Sequence, residues 1–195
     1  MKRTIFSLLM LALTASTFAQ KMNFNIFLFG KEVGKMTIER KIGAGGLIFY
    51  KLESHSEAKV MFTTKINDVT VDCTYKDGKL FSSYAKNTVN GEVDNYASVS
   101  MSGTQYNIQN ERRKYTSNDP ITFSVVSLYY AEPVNMTKIF SERAGEWLDM
   151  IKTSDGGYEF KMPNGDKNIY KYKNGKVTEV ELRRTFGTVY MRPAA

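Results

Sequence analysis

The sequence predicts an all-β fold, a strongly curved or partly closed antiparallel β-barrel or half-barrel with one short apolar helix at about residues 120–131. Three observations carry this prediction. Apolar and polar residues alternate along nearly all of the chain after residue 21, the period-two pattern of strands with one buried face. Glycine-bearing turn signals break that alternation about every dozen residues. One stretch, DPITFSVVSLYYAEP at 119–133, does not alternate, is apolar almost all round, and holds two of the four prolines.

The turns are the clearest signal: KDGK (76–79), VNGE (89–92), MSGT (101–104), SDGG (154–157), PNGD (163–166) and KNGK (173–176). Asn-Gly and Asp-Gly accept positive φ and so favour the tight hairpins that match strand twist. FGKEVG and GAGG act in the same way nearer the start. Between the turns, Met22, Phe24, Ile26 and Leu28 share one strand face, and Met36, Ile38 and Ile42 another. From Ile48 the even positions are apolar through Tyr50, Leu52, Ala58, Val60, Phe62 and Ile66. The odd positions Val69, Val71, Cys73 and Tyr75 then take over. Such a parity switch implies a bulge near Asn67-Asp68, and long bent strands curl a sheet towards closure. Val93, Ala97, Val99 and Met101 continue the pattern, as do Leu148 and Met150. Tyr158, Phe160 and Met162, then Tyr170 and Tyr172, then Val180, Leu182 and Phe186 complete about eleven strands.

The exceptional stretch reads as a helix. Asp119 suits the N-cap, Pro120 the first helical position, and Pro133 ends the run. Phe123, Val126, Ser127 and Tyr130 fall on one face and Val125, Leu128 and Tyr129 on the next; a central strand is the alternative. A helix that is apolar all round must be buried or must cover something apolar. It therefore either completes the core or acts as a lid over a ligand cavity, hinged at its flanking SND and AEP segments.

Residues 1–19 read as a secretory signal peptide. Lys2 and Arg3 precede a short apolar run over residues 5–13, and STFA ends in the small residue wanted before cleavage between Ala19 and Gln20. The run is too short to span a bilayer, and Gln20 in place of cysteine argues against a bacterial lipid anchor. Residues 20–195 then form a single β-rich domain, periplasmic or secreted. The single cysteine, Cys73, excludes an internal disulfide and reads as a buried thiol. Formal charge is +7, or +5 once the leader's two cations are gone. Lysines spread singly among glutamates, as in KLESHSEAKV and KVTEVELRR, do not make a nucleic-acid surface.

Four stretches together, FGKEVGKMTIER, DPITFSVVSLYYAEP, KIFSERAGEWLDM and YEFKMPNGDKNIYKYKNGKVTEVELRR, resemble a family of exported Gram-negative bacterial proteins known as a domain of unknown function. More distantly the chain looks like the periplasmic incomplete β-barrels, a curved antiparallel sheet covered by a little helix. The resemblance covers almost the whole mature chain and brings no catalytic residues with it. Some of those distant barrels carry lipoprotein acyl chains, which implies an apolar ligand.

The residues themselves offer little catalysis. His55, the only histidine, falls on the charged face of its strand and faces away from Cys73, which serves neither a catalytic triad nor zinc. No nucleophile elbow is present. The pairs Glu179/Glu181 and Glu146/Asp149 read as solvated carboxylates, and NGDKN as a turn without the later glutamate of a calcium loop. No metal or cofactor is expected, and the chain does not read as an enzyme.

The inward polar residues are of more interest. Arg184 between Leu182 and Phe186, and Arg40 after Met36 and Ile38, fall on apolar faces. Each must be paired, snorkel, or meet a ligand anion. The candidate ligand-binding set is Arg40, Arg184, Phe123, Leu128, Tyr129, Phe160, Tyr170 and Tyr172. Two functions fit: a carrier of a lipid-like, anionic amphipath, or an envelope interaction protein with a filled core that docks a protein or polymer partner.

Overall fold

The computed structural model describes residues 19–60 and 62–194, so the leader over residues 1–18 lies outside the described residues. The turn residues act as their chemistry requires. Asn174 and Gly175 take φ of 53° and 72°, the left-handed pair that a two-residue hairpin demands. Asp77-Gly78 and Asn90-Gly91 do the same. The chain therefore meanders through β1 (Ala19–Leu28), β2 (Lys31–Ile42), β3 (Leu47–Val60), β4 (Thr63–Lys76), β5 (Lys79–Val89), β6 (Glu92–Ser102), β7 (Gln105–Asn110) and β8 (Lys114–Ser117). After a crossing segment it resumes with β9 (Lys138–Ser141), β10 (Glu146–Lys152), β11 (Tyr158–Lys161), β12 (Lys167–Lys173), β13 (Lys176–Arg184) and β14 (Gly187–Pro193).

All fourteen strands form one antiparallel sheet in the order β8-β7-β6-β5-β4-β3-β2-β1-β14-β13-β12-β11-β10-β9. Pairing of β1 with β14 joins the two halves of the chain mid-sheet and leaves β8 and β9 as the edges. Val99 and Ile108 near one edge share a single core cluster with Phe140 and Leu148 at the other, so the sheet curls back on itself. The edges are not joined by a strand ladder. Side chains cross the gap: Asn110 Nδ2 donates to Ala144 O at 2.7 Å, and Tyr115 Oη to Gly145 O at 2.7 Å. Glu146 takes Arg112 at 2.8 Å and Arg113 at 3.0 Å. The barrel is thus sealed at this point by polar contacts and is not closed. No helix among the described residues is long and apolar enough to cross a membrane.

Several expectations need correction. The first is the strand count, which is fourteen rather than eleven. β5 escaped notice because its inward row contains Ser83 and Asn87, both buried, so the alternation lacks contrast. The second is the proposed bulge at Asn67-Asp68. β3 and β4 pair from Leu47↔Lys76 to Val60↔Thr63 without a shift in register. The parity change comes from a hairpin between them, where Phe62 is 95% exposed. Ile42, also expected inward, is exposed at the end of β2.

The third is the helix over 120–131. Only Val125–Tyr129 is helical, as one 3-10 turn that starts after Ser124 with no side-chain cap of its own. Asp119 and Pro120 stand outside it. Tertiary hydrogen bonds win over helical propensity here. Ile121 O accepts from Leu80 N at 2.8 Å, and Ser124 bridges Phe140 in parallel, holding the segment extended until Val125. Leu128 is 0% exposed and Val126 1%, so the turn is core.

Gly34 gives a direct test of the β2–β3 pairing. A Cβ there would meet His55 O at 2.1 Å and Ser56 Cα at 2.6 Å, both backbone atoms that cannot swing aside. Gly34→Ala is expected to cost about 1–3 kcal/mol or more as the strands are pushed apart. A urea titration that shows an unchanged midpoint would contradict this register.

Candidate functional site: a cavity inside the curled sheet

In an antiparallel meander the hairpins from each odd strand to the next even strand lie at one end. At that end the curled sheet encloses a cavity of about 360 Å³. Its apolar wall includes Met36, Leu52, Val71, Phe160 and Met191. Val125, Val126 and Tyr129, from the segment that crosses between β8 and β9, form the inner end. Lys65, Asn164 and Phe186, all exposed and all in or beside odd-to-even hairpins, mark the rim.

Polar residues complete the lining, among them Ser141 and Glu142 beside Val125 and Val126. A register shift between Asn87 and Thr88 leaves Asp94 as an extra residue on β6. Such a bulge re-aims a side chain, and Asp94 and Asn95 both line the cavity. Asn87 Nδ2 donates to Asp94 Oδ2 at 2.9 Å. On the other wall Arg184 is fully engaged: its Nε meets Asp166 at 3.3 Å, its Nη2 donates to Asn168 Oδ1 at 3.0 Å, and its Nη1 donates to Lys167 O. Burial lowers its pKa and the Asp166 carboxylate offsets part of that. Arg143, from the β9–β10 turn, also lines the cavity, and it makes no hydrogen bond or ion pair with any described residue. Burial lowers its pKa too, with the more distant Asp94 opposing.

The expected ligand-binding residues divide across this geometry. Arg184, Tyr129, Phe160 and Tyr170 line the cavity. Tyr129 and Tyr170 are also core, in a T-shaped pair at 5.5 Å, and burial raises the Tyr129 hydroxyl to about 12. Arg40, Phe123, Leu128 and Tyr172 do not line it. Arg40 lies towards the opposite end of β2, over the Tyr130 ring at 5.9 Å. Tyr130 in turn donates to Ile38 O and Gln20 O at 3.1 Å, which pins the crossing segment between Arg40 and the cavity. Tyr172 donates to Leu128 O at 2.7 Å behind that segment. His55 is exposed on the outer face beside Asp68, at 2.6 Å. Glu181 takes Lys171 and Arg183 in an outer ladder that also includes Glu179 and Arg192.

Sequence reasoning missed Glu142 and Arg143. Both sit in the SERAGE turn, where charged residues ordinarily read as solvated. In fact Glu142 is 1% exposed. Its carboxylate accepts from Ser124 Oγ, from Val125 N at 3.1 Å, from Val126 N at 3.3 Å and from Cys73 Sγ at 3.6 Å. Ser124 spends its one proton on Glu142, so Tyr75 Oη donates to Ser124 Oγ at 2.5 Å. A remote carboxylate thus caps the 3-10 turn in place of a local residue. Burial raises the Glu142 pKa, and burial with the Glu142 charge raises the Cys73 thiol well above its usual range. The only signal for this site in the sequence was the run of short apolar pieces on either side of the turn.

A family model described as a domain of unknown function (DUF6134) matches residues 24–194, and the chain belongs to that family. Its fold is similar to that of a crystal structure described as a beta-barrel-like protein of domain of unknown function DUF1849 from Brucella abortus. The two share 11% identity at a TM-score of 0.55, over 89% of this chain and 94% of that one. At that identity the likeness concerns the fold alone. No curated protein matches the chain.

Proposed function

Starting from a family with no assigned activity, we propose that the protein is an exported, non-enzymatic binding or carrier protein for a small amphipathic, lipid-like molecule. The observation that carries this reading is the cavity: about 360 Å³, with largely apolar walls and a small number of polar and charged groups in its lining. Export rests on the leader over residues 1–19. A volume of about 360 Å³ lies within the few hundred cubic ångströms usual for small-molecule sites and suits one medium-length chain with its head group.

The neutral dye N-phenylnaphthylamine, which brightens in apolar surroundings, tests the cavity without regard to charge. Saturable binding at one site per chain is expected. Ser54 is half-buried, lines the cavity and pairs across strands with Met36 and Val69. Ser54→Trp should fill the space and weaken the dye by roughly tenfold or more while the fold persists. No dye uptake by the wild type, or equal uptake by a folded Ser54→Trp variant, would end this reading.

A further inference from the structure

Resting on that cavity reading, we infer that Arg143 selects the head group: the ligand is a single-chain carboxylate, held by the Arg143 guanidinium, with a hydroxyl or amide N–H near the carboxylate that donates to Asn87. Arg143 is the one guanidinium lining the cavity that is without a partner among the described residues. Arg184 is consumed by Asp166, Asn168 and backbone carbonyls. Lys65 stands exposed at the mouth. The Nε of Arg143 is buried and has no acceptor at all. A guanidinium presents a planar fork of donors that matches a carboxylate in bidentate fashion, and leaving it unpaired out of water is costly.

The neighbouring carboxylates restrict the charge of the guest. Asp94, Asp166 and Glu142 line the same cavity, with Asp94 held by Asn87, Asp166 by Arg184 and Glu142 by the backbone of Val125 and Val126. A single negative charge can satisfy Arg143, whereas a dianionic phosphate would meet these acids. The requirement for a donor comes from Asn87. Its Nδ2 is committed to Asp94, which fixes the amide's orientation and leaves its buried Oδ1 without a donor. Asn95, its direct partner across β5 and β6, likewise has a buried Oδ1 with no donor. A plain fatty acid offers neither oxygen a donor, while the amide N–H of an N-acyl amino acid or the hydroxyl of a hydroxy fatty acid can serve the Asn87 Oδ1.

Displacement of N-phenylnaphthylamine by decanoate, decanol, decyltrimethylammonium and N-octanoylglycine separates the possibilities. Decanoate should compete roughly 10- to 100-fold better than decanol in the wild type, decyltrimethylammonium should be the poorest, and N-octanoylglycine the best. Arg143→Met should abolish the preference for decanoate over decanol while still binding dye. Arg143→Lys, with a charge but no fork, should retain part of it. The unliganded Arg143→Met variant should also melt a few degrees higher, because it loses a partly buried charge that has no partner. Dye binding with no preference for carboxylates, or a preference that survives in Arg143→Met, overturns the head-group assignment and leaves the cavity reading intact. Failure of Arg143→Met to fold, with Arg143→Lys indistinguishable from wild type in ligand preference, would make Arg143 structural and overturns it equally. N-octanoylglycine no better than decanoate refutes the role given to Asn87. Absence of dye binding in the wild type refutes the cavity reading itself.

Discussion

Leu128→Asp is expected to yield no native protein, with loss of the cooperative thermal transition and of the β-sheet circular dichroism. Leu128 is 0% exposed, belongs to the main core cluster and does not line the cavity. Truncation alone, as in Leu128→Ala, costs about 2–5 kcal/mol at such a site. An aspartate adds a carboxylate with no counter-charge in the core, a further cost of several kcal/mol. Net stabilities of domains are only about 5–15 kcal/mol, so the sum removes most or all of it. Leu128→Ala serves as the control and should fold with a lowered midpoint. A Leu128→Asp protein that melts within a few degrees of wild type would show that the 3-10 turn is a detachable lid after all.

The second large effect is expected at Glu142. Glu142→Leu removes the acceptor of Val125 N, Val126 N, Ser124 Oγ and Cys73 Sγ, and leaves two buried N–H groups and a hydroxyl without partners. A loss of about 3–5 kcal/mol follows, measurable by urea titration. Glu142→Gln keeps one oxygen acceptor but turns an amide N–H towards one of these donors, for a smaller loss.

The pH dependence separates the two variants further. Burial raises the folded-state pKa of Glu142 above its ordinary 4.5. The folded protein then binds the proton more tightly than the unfolded chain does. The resulting stabilisation is complete below the ordinary value and is lost as pH rises through the raised one. Glutamine cannot titrate, so the stability difference should move against the wild type as pH climbs above about 4.5. A wild-type to Glu142→Gln difference that stays flat across about pH 4 to 8 would mean that the carboxylate ionises as it does in water.

Much of the fold was legible because its rules are local. Asp77-Gly78, Asn90-Gly91 and Asn174-Gly175 specify their hairpins through φ preferences that need no distant partner. Phe24, Ile26 and Leu28 announce a half-buried strand by period two alone, and all three are buried. Cys73 was placed inside and His55 outside by the same parity. The site was less legible. Ser83, Asn87 and Asn110 are buried polar residues on inward faces, so the strands that carry them lose the contrast by which strands are recognised. Arg184 reads from the sequence as an arginine on an apolar face, but its partners Asp166 and Asn168 lie in a turn and a strand that sequence spacing does not connect to it.

The all-β class, nearly every turn and the inward parity of most strands follow from local sequence, because backbone φ preferences and side-chain alternation are set by near neighbours. Tertiary structure alone decided three things. It tied Ile121 and Ser124 to other strands and left only Val125–Tyr129 helical, since Leu80 and Phe140 offered the backbone better partners than its own next turn did. It buried Glu142 as the cap of that turn. And it left Arg143, rather than Arg40 or Arg184, as the arginine that lines the cavity without a partner among the described residues, because which charges meet depends on how far a long sheet curls before its edges come together.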